Sequence, residues 1–162
     1  MRANPPPLSS SATRAAGFTL VEIMIVVIII GVLAALAIPA LAKIRQKSQN
    51  ARFVSDVRTF VQAFETYSMQ NGAWPPNAGT GVVPTGMSSA DFNRSAWSTP
   101  KNSVGGRWNW DRNVNVTAGI STTNVTADDT QMTEIDRMID DGDLTTGHFQ
   151  KFSGRFTYIL EP

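Results

Sequence analysis

The chain has 162 residues, no cysteine and a formal net charge of +1, and 42% of its residues are hydrophobic. That length accommodates one modest domain plus an anchor. The lack of thiols excludes a disulfide framework, and the near-neutral charge gives no basic field of the kind that marks nucleic-acid binding. Arg2 and Arg14 are the only charged groups in residues 1–17, so of the 14 bases 12 remain beyond them, against 13 acids.

Residues 1–17, MRANPPPLSSSATRAAG, are polar, have no apolar core and end in glycine. The apolar run starts at once: GFTLVEIMIVVIIIGVLAALAIPAL covers Gly17 to Leu41, and no charged residue occurs from Ile23 to Ala42. Those 20 positions, at about 1.5 Å of helical rise each, match the roughly 30 Å hydrocarbon core of a bilayer. A secretory signal peptide cut after Ala40-Leu41-Ala42 is one reading, but the apolar core of such a peptide runs only about 7–15 residues. A plain signal anchor is a second reading, and it leaves Gly17 and Glu22 unexplained. Lys43, Arg45 and Lys47 follow the run and outnumber the leader's two bases, so a positive-inside count favours the orientation with the N-terminus outside.

Residues 43–72 place Val54, Val57, Phe60, Val61, Phe64 and Tyr67 at intervals of three and four, with Asp56, Arg58, Gln62 and Glu65 between them. This is an amphipathic helix. Asn71-Gly72 stops it, and Trp74-Pro75-Pro76 cannot continue it. The pattern therefore predicts one helix over 18–71, interrupted only by Pro39, where a kink is expected because proline lacks a backbone donor. The stripe is expected to pack against the chain's own C-terminal domain.

Residues 76–106 are rich in Gly, Pro, Ser, Thr and Asn and read as a long connecting loop. GGRWNWD and VNVTAGIS alternate as strands, which predicts a hairpin turning near Asp111–Asn113. In TADDTQMTEIDRMIDDG a short helix is expected, capped by Thr126 or Asp128, with Met132, Ile135, Met138 and Ile139 facing inward and Gly142 ending it. RFTYIL supplies a third strand. No internal repeat is present.

Motifs for catalysis are weak. His148 is the single histidine, no nucleophile elbow marks a serine, and His148 reads as a surface residue. Trp108 and Trp110 either stack on a sugar or, as bulky strand aromatics more often do, face a core. Asp140, Asp141 and Asp143 in DDGDL are the metal candidate: clustered carboxylates around a glycine turn suit Ca²⁺, although the spacing is not that of an EF-hand. Acids at a helix C-terminus oppose the helix dipole, so Arg137, Lys151, Arg155 or an ion is expected to offset them. A solvated or arginine-paired turn is the alternative.

The sequence GFTLVEIMIVV, with glycine, then Phe18, then Glu22 five residues after the glycine, then an unbroken apolar helix containing Pro39, resembles the processing signature of type IV pilin-like proteins. That family includes type IV pilins and type II secretion pseudopilins. WPP, GGRWNWD and IDDG look more like the pseudopilins than like disulfide-looped pilins. The resemblance implies a pilin-like α+β fold with 1–17 a leader, 18–42 a transmembrane helix, 43–72 its amphipathic continuation and 73–162 a periplasmic globular domain on a small antiparallel sheet. It implies that prepilin peptidase cuts between Gly17 and Phe18 and methylates the Phe18 amine. Glycine suits the position before the cut because it lacks a Cβ. In the family the leader often carries a base nearer the glycine than Arg14.

It also implies a subunit that sits in the inner membrane with a cytoplasmic N-terminus and is recruited into a periplasmic pseudopilus of type II secretion. Glu22 of one subunit would meet the Phe18 amine of a neighbour; pairing with its own amine or with headgroups is the alternative. The expected partners are other pilin-like subunits, an inner-membrane assembly platform and a separate ATPase, since this chain has no nucleotide-binding loop. No cofactor is expected unless calcium binds. A type IV or minor pilin for adhesion, motility or DNA uptake is the second reading, and a membrane-anchored periplasmic binding module the third.

Overall fold

The computed structural model describes residues 17–87 and 92–162, so leader residues 1–16, with Arg2 and Arg14, lie outside the described residues. Helix α1 runs Leu20–Asn71 with Pro39 inside it. It is followed by a one-turn helix α2 (Arg94–Trp97), strands β1 (Arg107–Val114) and β2 (Val116–Thr123), helix α3 (Asp129–Ile139), and strands β3 (Phe149–Phe152) and β4 (Arg155–Glu161). By internal contacts the chain divides into two compact units between Leu41 and Ala42.

In the first unit α1 is apolar on every side beyond Glu22, and its large apolar side chains are exposed from Leu20 to Leu41. The helix is long and apolar enough to cross a membrane.

In the second unit the rest of α1 packs on a four-stranded antiparallel sheet of order β1-β2-β4-β3, which gives the α+β, pilin-like fold. Asn71 ends the helix because Gly72 takes a positive φ of 69°, and its amide still bonds to Ser68 O at 2.8 Å. The predicted stripe is the buried face: Val54, Val57, Phe60 and Phe64 are buried, while Val61 and Tyr67 are half-buried against the core. Phe53, one residue outside that pattern, is also fully buried.

Phe53 stacks on Trp108 with centroids 4.9 Å apart, Phe60 meets Trp108 edge-on at 5.2 Å, and Phe64 stacks on Trp110 at 3.9 Å. Both β1 tryptophans therefore face the helix, and the sugar-stacking reading does not apply to them. Strand alternation puts Asn109 and Asp111 on the opposite face of β1. Asp111 is buried there; its Oδ1 accepts from Asn109 Nδ2 at 2.7 Å and from Arg155 Nη1 at 2.5 Å. Strand β2 lies between β1 and β4, so this ion pair straps the sheet's outer face across the central strand.

Four local expectations change. The hairpin turns at Asn115 rather than at Asp111–Asn113, since Val114 pairs with Val116 and Arg112 with Ala118. Asn113 and Asn115 adopt φ of 57° and 61°, a region asparagine enters more readily than other residues with a Cβ. The 76–106 segment is not only a loop: α2 forms within it and delivers fully buried Trp97 to the core, beside Phe92 and Phe60. Met138 is 45% exposed rather than facing inward, because at about 100° per residue it falls well round the helix from Met132 and Ile139, and α3 ends at Ile139, before Gly142. Strand β3, absent from the sequence reading, pairs with β4 at the sheet edge.

Candidate functional site

The N-terminus of α1 is shaped by four residues, Gly17, Phe18, Thr19 and Glu22. Gly17 and Phe18 precede the helix and are exposed, with Phe18 at 85%. Thr19 occupies the N-cap position. Its amide and hydroxyl both donate to Glu22 Oε2, at 2.8 and 2.9 Å, and the Glu22 amide donates to Thr19 Oγ1 at 3.2 Å. This is a reciprocal capping box, in which the cap and the residue three on satisfy each other's orphan amides. The carboxylate also lies where the helix dipole favours an anion. Glu22 Oε1 takes part in none of these contacts. The resemblance drew attention to Glu22 and passed over Thr19; the T-x-x-E spacing was the signal that reveals it. Pro39 lies within the helix, far along the chain from this end.

The acidic turn after α3 is the second candidate. Asp128 caps the start of α3 through Gln131 N at 2.8 Å. At the other end Asp143 is engaged locally, its Oδ1 accepting from Thr145 N at 3.0 Å and Thr145 Oγ1 at 2.7 Å, which holds its carboxyl below the usual range. Asp141 accepts from Asp143 N and Thr146 Oγ1, and Asp140 Oδ2 accepts from the amides of His148 and Phe149. Gly147 makes that last contact possible: its φ is 70°, and a Cβ there would fall 2.1 Å from Asp140 Oδ2.

The structure brings Asp140 and Asp141 together with a third carboxylate, Asp136, so that one oxygen of each lies within 4.8 Å of the others. Asp136 is fully buried, and neither of its oxygens has a hydrogen-bond partner. Burial, followed by the charges of Asp141 and Asp140 and, more weakly, Asp143, pushes its carboxyl up to about 6. The Gly142 amide tempers the shift without reaching hydrogen-bond geometry. Asp136 was not singled out from sequence, where it reads as one more polar residue of an amphipathic helix. Of the bases expected to offset the turn, Lys151 pairs with Asp129 at 2.5 Å and Arg155 with Asp111. His148 is exposed, with Nδ1 3.1 Å from Ile159 O.

Residues 12–38 match the family described as the prokaryotic N-terminal methylation motif. The chain is similar to "Type II secretion system core protein G" of Pectobacterium carotovorum subsp. carotovorum, 40% identical over 65 residues, which is 40% of this chain and 42% of that protein. The protein of the same name in Escherichia coli K12 is 42% identical over 59 residues, 36% of this chain and 41% of its own length. "Type IV major pilin protein PilE1" of Neisseria gonorrhoeae is 37% identical over 67 residues, 41% of this chain and 31% of its own length. The chain thus spans about two fifths of the secretion-system relatives it matches. No solved structure matches it.

Proposed function

We propose that this chain, which carries the N-terminal signature of the type IV pilin-like family, is a structural subunit of a periplasmic pseudopilus in type II secretion. Prepilin peptidase cuts it between Gly17 and Phe18 and methylates the Phe18 amine. Residues 18–42 hold it in the inner membrane with its N-terminus cytoplasmic and residues 73–162 periplasmic. An assembly platform and its ATPase then draw it into a filament with other pilin-like subunits.

The observation that carries this reading is the order of parts at one helix end: an exposed Gly17–Phe18 bond, a capped helix with an acid at Glu22, and an apolar surface that none of the described residues covers. Glu22 supports assembly in two ways. Its Oε2 caps its own helix, and its Oε1 is left for the cationic Phe18 amine of a neighbour. The names of the core protein G relatives favour secretion over a pilus. The likeness to a type IV major pilin keeps a type IV or minor pilin as the second reading.

Intact-mass and N-terminal analysis of membrane-extracted protein tests the proposal. A chain starting at N-methyl-Phe18 is expected, and a mature N-terminus at Lys43 overturns it.

The acidic turn adds a calcium proposal. Calcium takes oxygen ligands at about 2.3–2.6 Å, so two of its ligands stand up to about 5 Å apart, and the Asp136, Asp140 and Asp141 oxygens meet that spacing. The unpartnered buried carboxylate of Asp136 supports a cation over a solvated turn. Ca²⁺ should raise the melting temperature, because a ligand that binds only the folded state stabilises it, and EDTA should reverse the rise. Equal melting under both conditions overturns the calcium site.

A further inference from the structure

Lys43, Arg45 and Lys47 begin one residue after the uncharged run Ile23–Ala42 ends, and all three are exposed. No acidic residue lies between Glu22 and Asp56, and none of the three bases is in a salt bridge among the described residues. Glu134 of α3, which reaches this part of α1, accepts instead from Gln46 Nε2 at 3.3 Å and Asn50 Nδ2 at 3.2 Å. Arg52, further along, differs: it sits one turn from Asp56, whose carboxyl feels its charge.

The spacing of the three decides what they suit. At about 100° per residue Lys43 and Lys47 fall on nearly the same side of the helix, while Arg45 falls opposite. The charges therefore form a ring, whereas an acidic protein partner would meet a one-sided stripe. Along the axis they span about 6 Å. That is close to the thickness of one headgroup layer, given roughly 30 Å of hydrocarbon in a bilayer about 40–45 Å thick. Ile44, also exposed, lies within the ring and suits the boundary between headgroups and acyl chains.

We propose that Lys43, Arg45 and Lys47 form a collar that binds the phosphates of anionic phospholipids in the leaflet where the helix leaves the membrane. This rests on the membrane-spanning part of the function proposed above. Long basic side chains extend to such phosphates while their stems lie along apolar surface. A base near an anionic surface gains about fivefold in attraction. The collar works against the positive-inside tendency, and anionic lipid on that side compensates by holding the bases after translocation. A subunit leaving the bilayer for a filament has to release these contacts.

The full chain, reconstituted in phosphatidylcholine bilayers with trace spin-labelled phosphatidylglycerol or spin-labelled phosphatidylcholine, tests this by the lipid fraction immobilised at the protein. The wild type should select phosphatidylglycerol at least about twofold, and about 1 M salt, where the screening length is about 3 Å, should abolish the preference. The triple variant Lys43→Gln/Arg45→Gln/Lys47→Gln should show no preference, while Arg52→Gln keeps it. All four tryptophans lie beyond residue 72, so an unchanged tryptophan-fluorescence melt confirms that the triple variant is folded. No selection by the wild type, or full selection by the triple variant, overturns the proposal. Loss of selection on adding about 10 mM inorganic phosphate, but not chloride of equal ionic strength, overturns it in favour of a free-phosphate site. Neither arm depends on cleavage at Gly17, so failure of the processing test and failure of this one are distinguishable.

Discussion

Two stretches of one helix treat apolar side chains in opposite ways. From Leu20 to Leu41 every large hydrophobic residue is exposed, whereas from Phe53 to Phe64 the apolar residues Phe53, Val54, Val57, Phe60 and Phe64 are buried. The first stretch is apolar all round and has no preferred face; the second gathers its apolar groups on one side. A helix of the first kind requires an external apolar phase or other helices, and one of the second kind requires a sheet. The few polar groups in each stretch differ accordingly. Thr19 and Glu22 are placed at the end of an otherwise featureless surface, where chemistry rather than packing gives them value. In the body, polar groups such as Asp111 and Asp136 are buried and bear on stability.

The largest expected effect separates the two regions. Glu22→Leu should still be processed and should still enter the membrane, because leucine is favoured over glutamate there. Filament recovery should fall by at least about tenfold, since an unpaired amine in a low-dielectric contact costs several kcal/mol. The tryptophan melt of the body should not change. Normal filament yield from this variant breaks the contrast.

Phe64→Ala should do the reverse. It removes the ring stacked on Trp110 and should destabilise the body by about 3–5 kcal/mol, read by tryptophan-fluorescence unfolding of the full chain in detergent. Ile29→Ala, the same kind of truncation in the exposed stretch, should leave that melt within about 0.5 kcal/mol. A loss of similar size in both would erase the distinction.

Arg155→Met sharpens it on the polar side. The change leaves Asp111 buried without its cation, and breaking such a pair costs about 3–5 kcal/mol. Arg155→Met with Asp111→Leu should recover part of the loss, because no charge is then left buried.

Asp136 gives a pH signature. Its folded value, about 6, lies above the ordinary 3.8, so the folded state holds more protons between the two. Its contribution is fully present below about pH 4 and is lost as pH rises through about 6, by at most about 3 kcal/mol. Asp136→Asn should remove this slope from the stability–pH profile and should stabilise the chain at pH 7.5 without calcium. An unchanged slope would place the titration elsewhere.

The smallest effect returns to the N-terminus. Thr19→Ala should weaken the first turn of α1 by about 1 kcal/mol, the usual value of an N-cap. It is visible as faster amide exchange at Glu22 and Ile23 with the body unaffected.

Much of this protein is written in local order. The apolar run, its leading Gly17-Phe18 and Glu22, the stripe from Val54 to Phe64 and the stop at Gly72 all follow from residue type and spacing, because helix periodicity and length matching act over a few turns. T-x-x-E was equally local. Other features depended on residues far apart in sequence. Trp97 is buried because α2 meets Phe60 and Phe64, 30 or more residues earlier. The hairpin turns at Asn115 because β1 continues through Asp111, which the sheet holds against Arg155, 44 residues away. Asp143 belongs by sequence with Asp140 and Asp141, yet it bonds to Thr145, while Asp136 comes up from the previous turn of α3 to join them. Sequence determined the long helix with its apolar run, helix α3 and strands β1, β2 and β4, because those choices are set by neighbours, whereas the short α2 and β3 form only against the rest of the body. Tertiary structure decided which carboxylates are desolvated and which aromatics touch, because burial is a property of what else packs there.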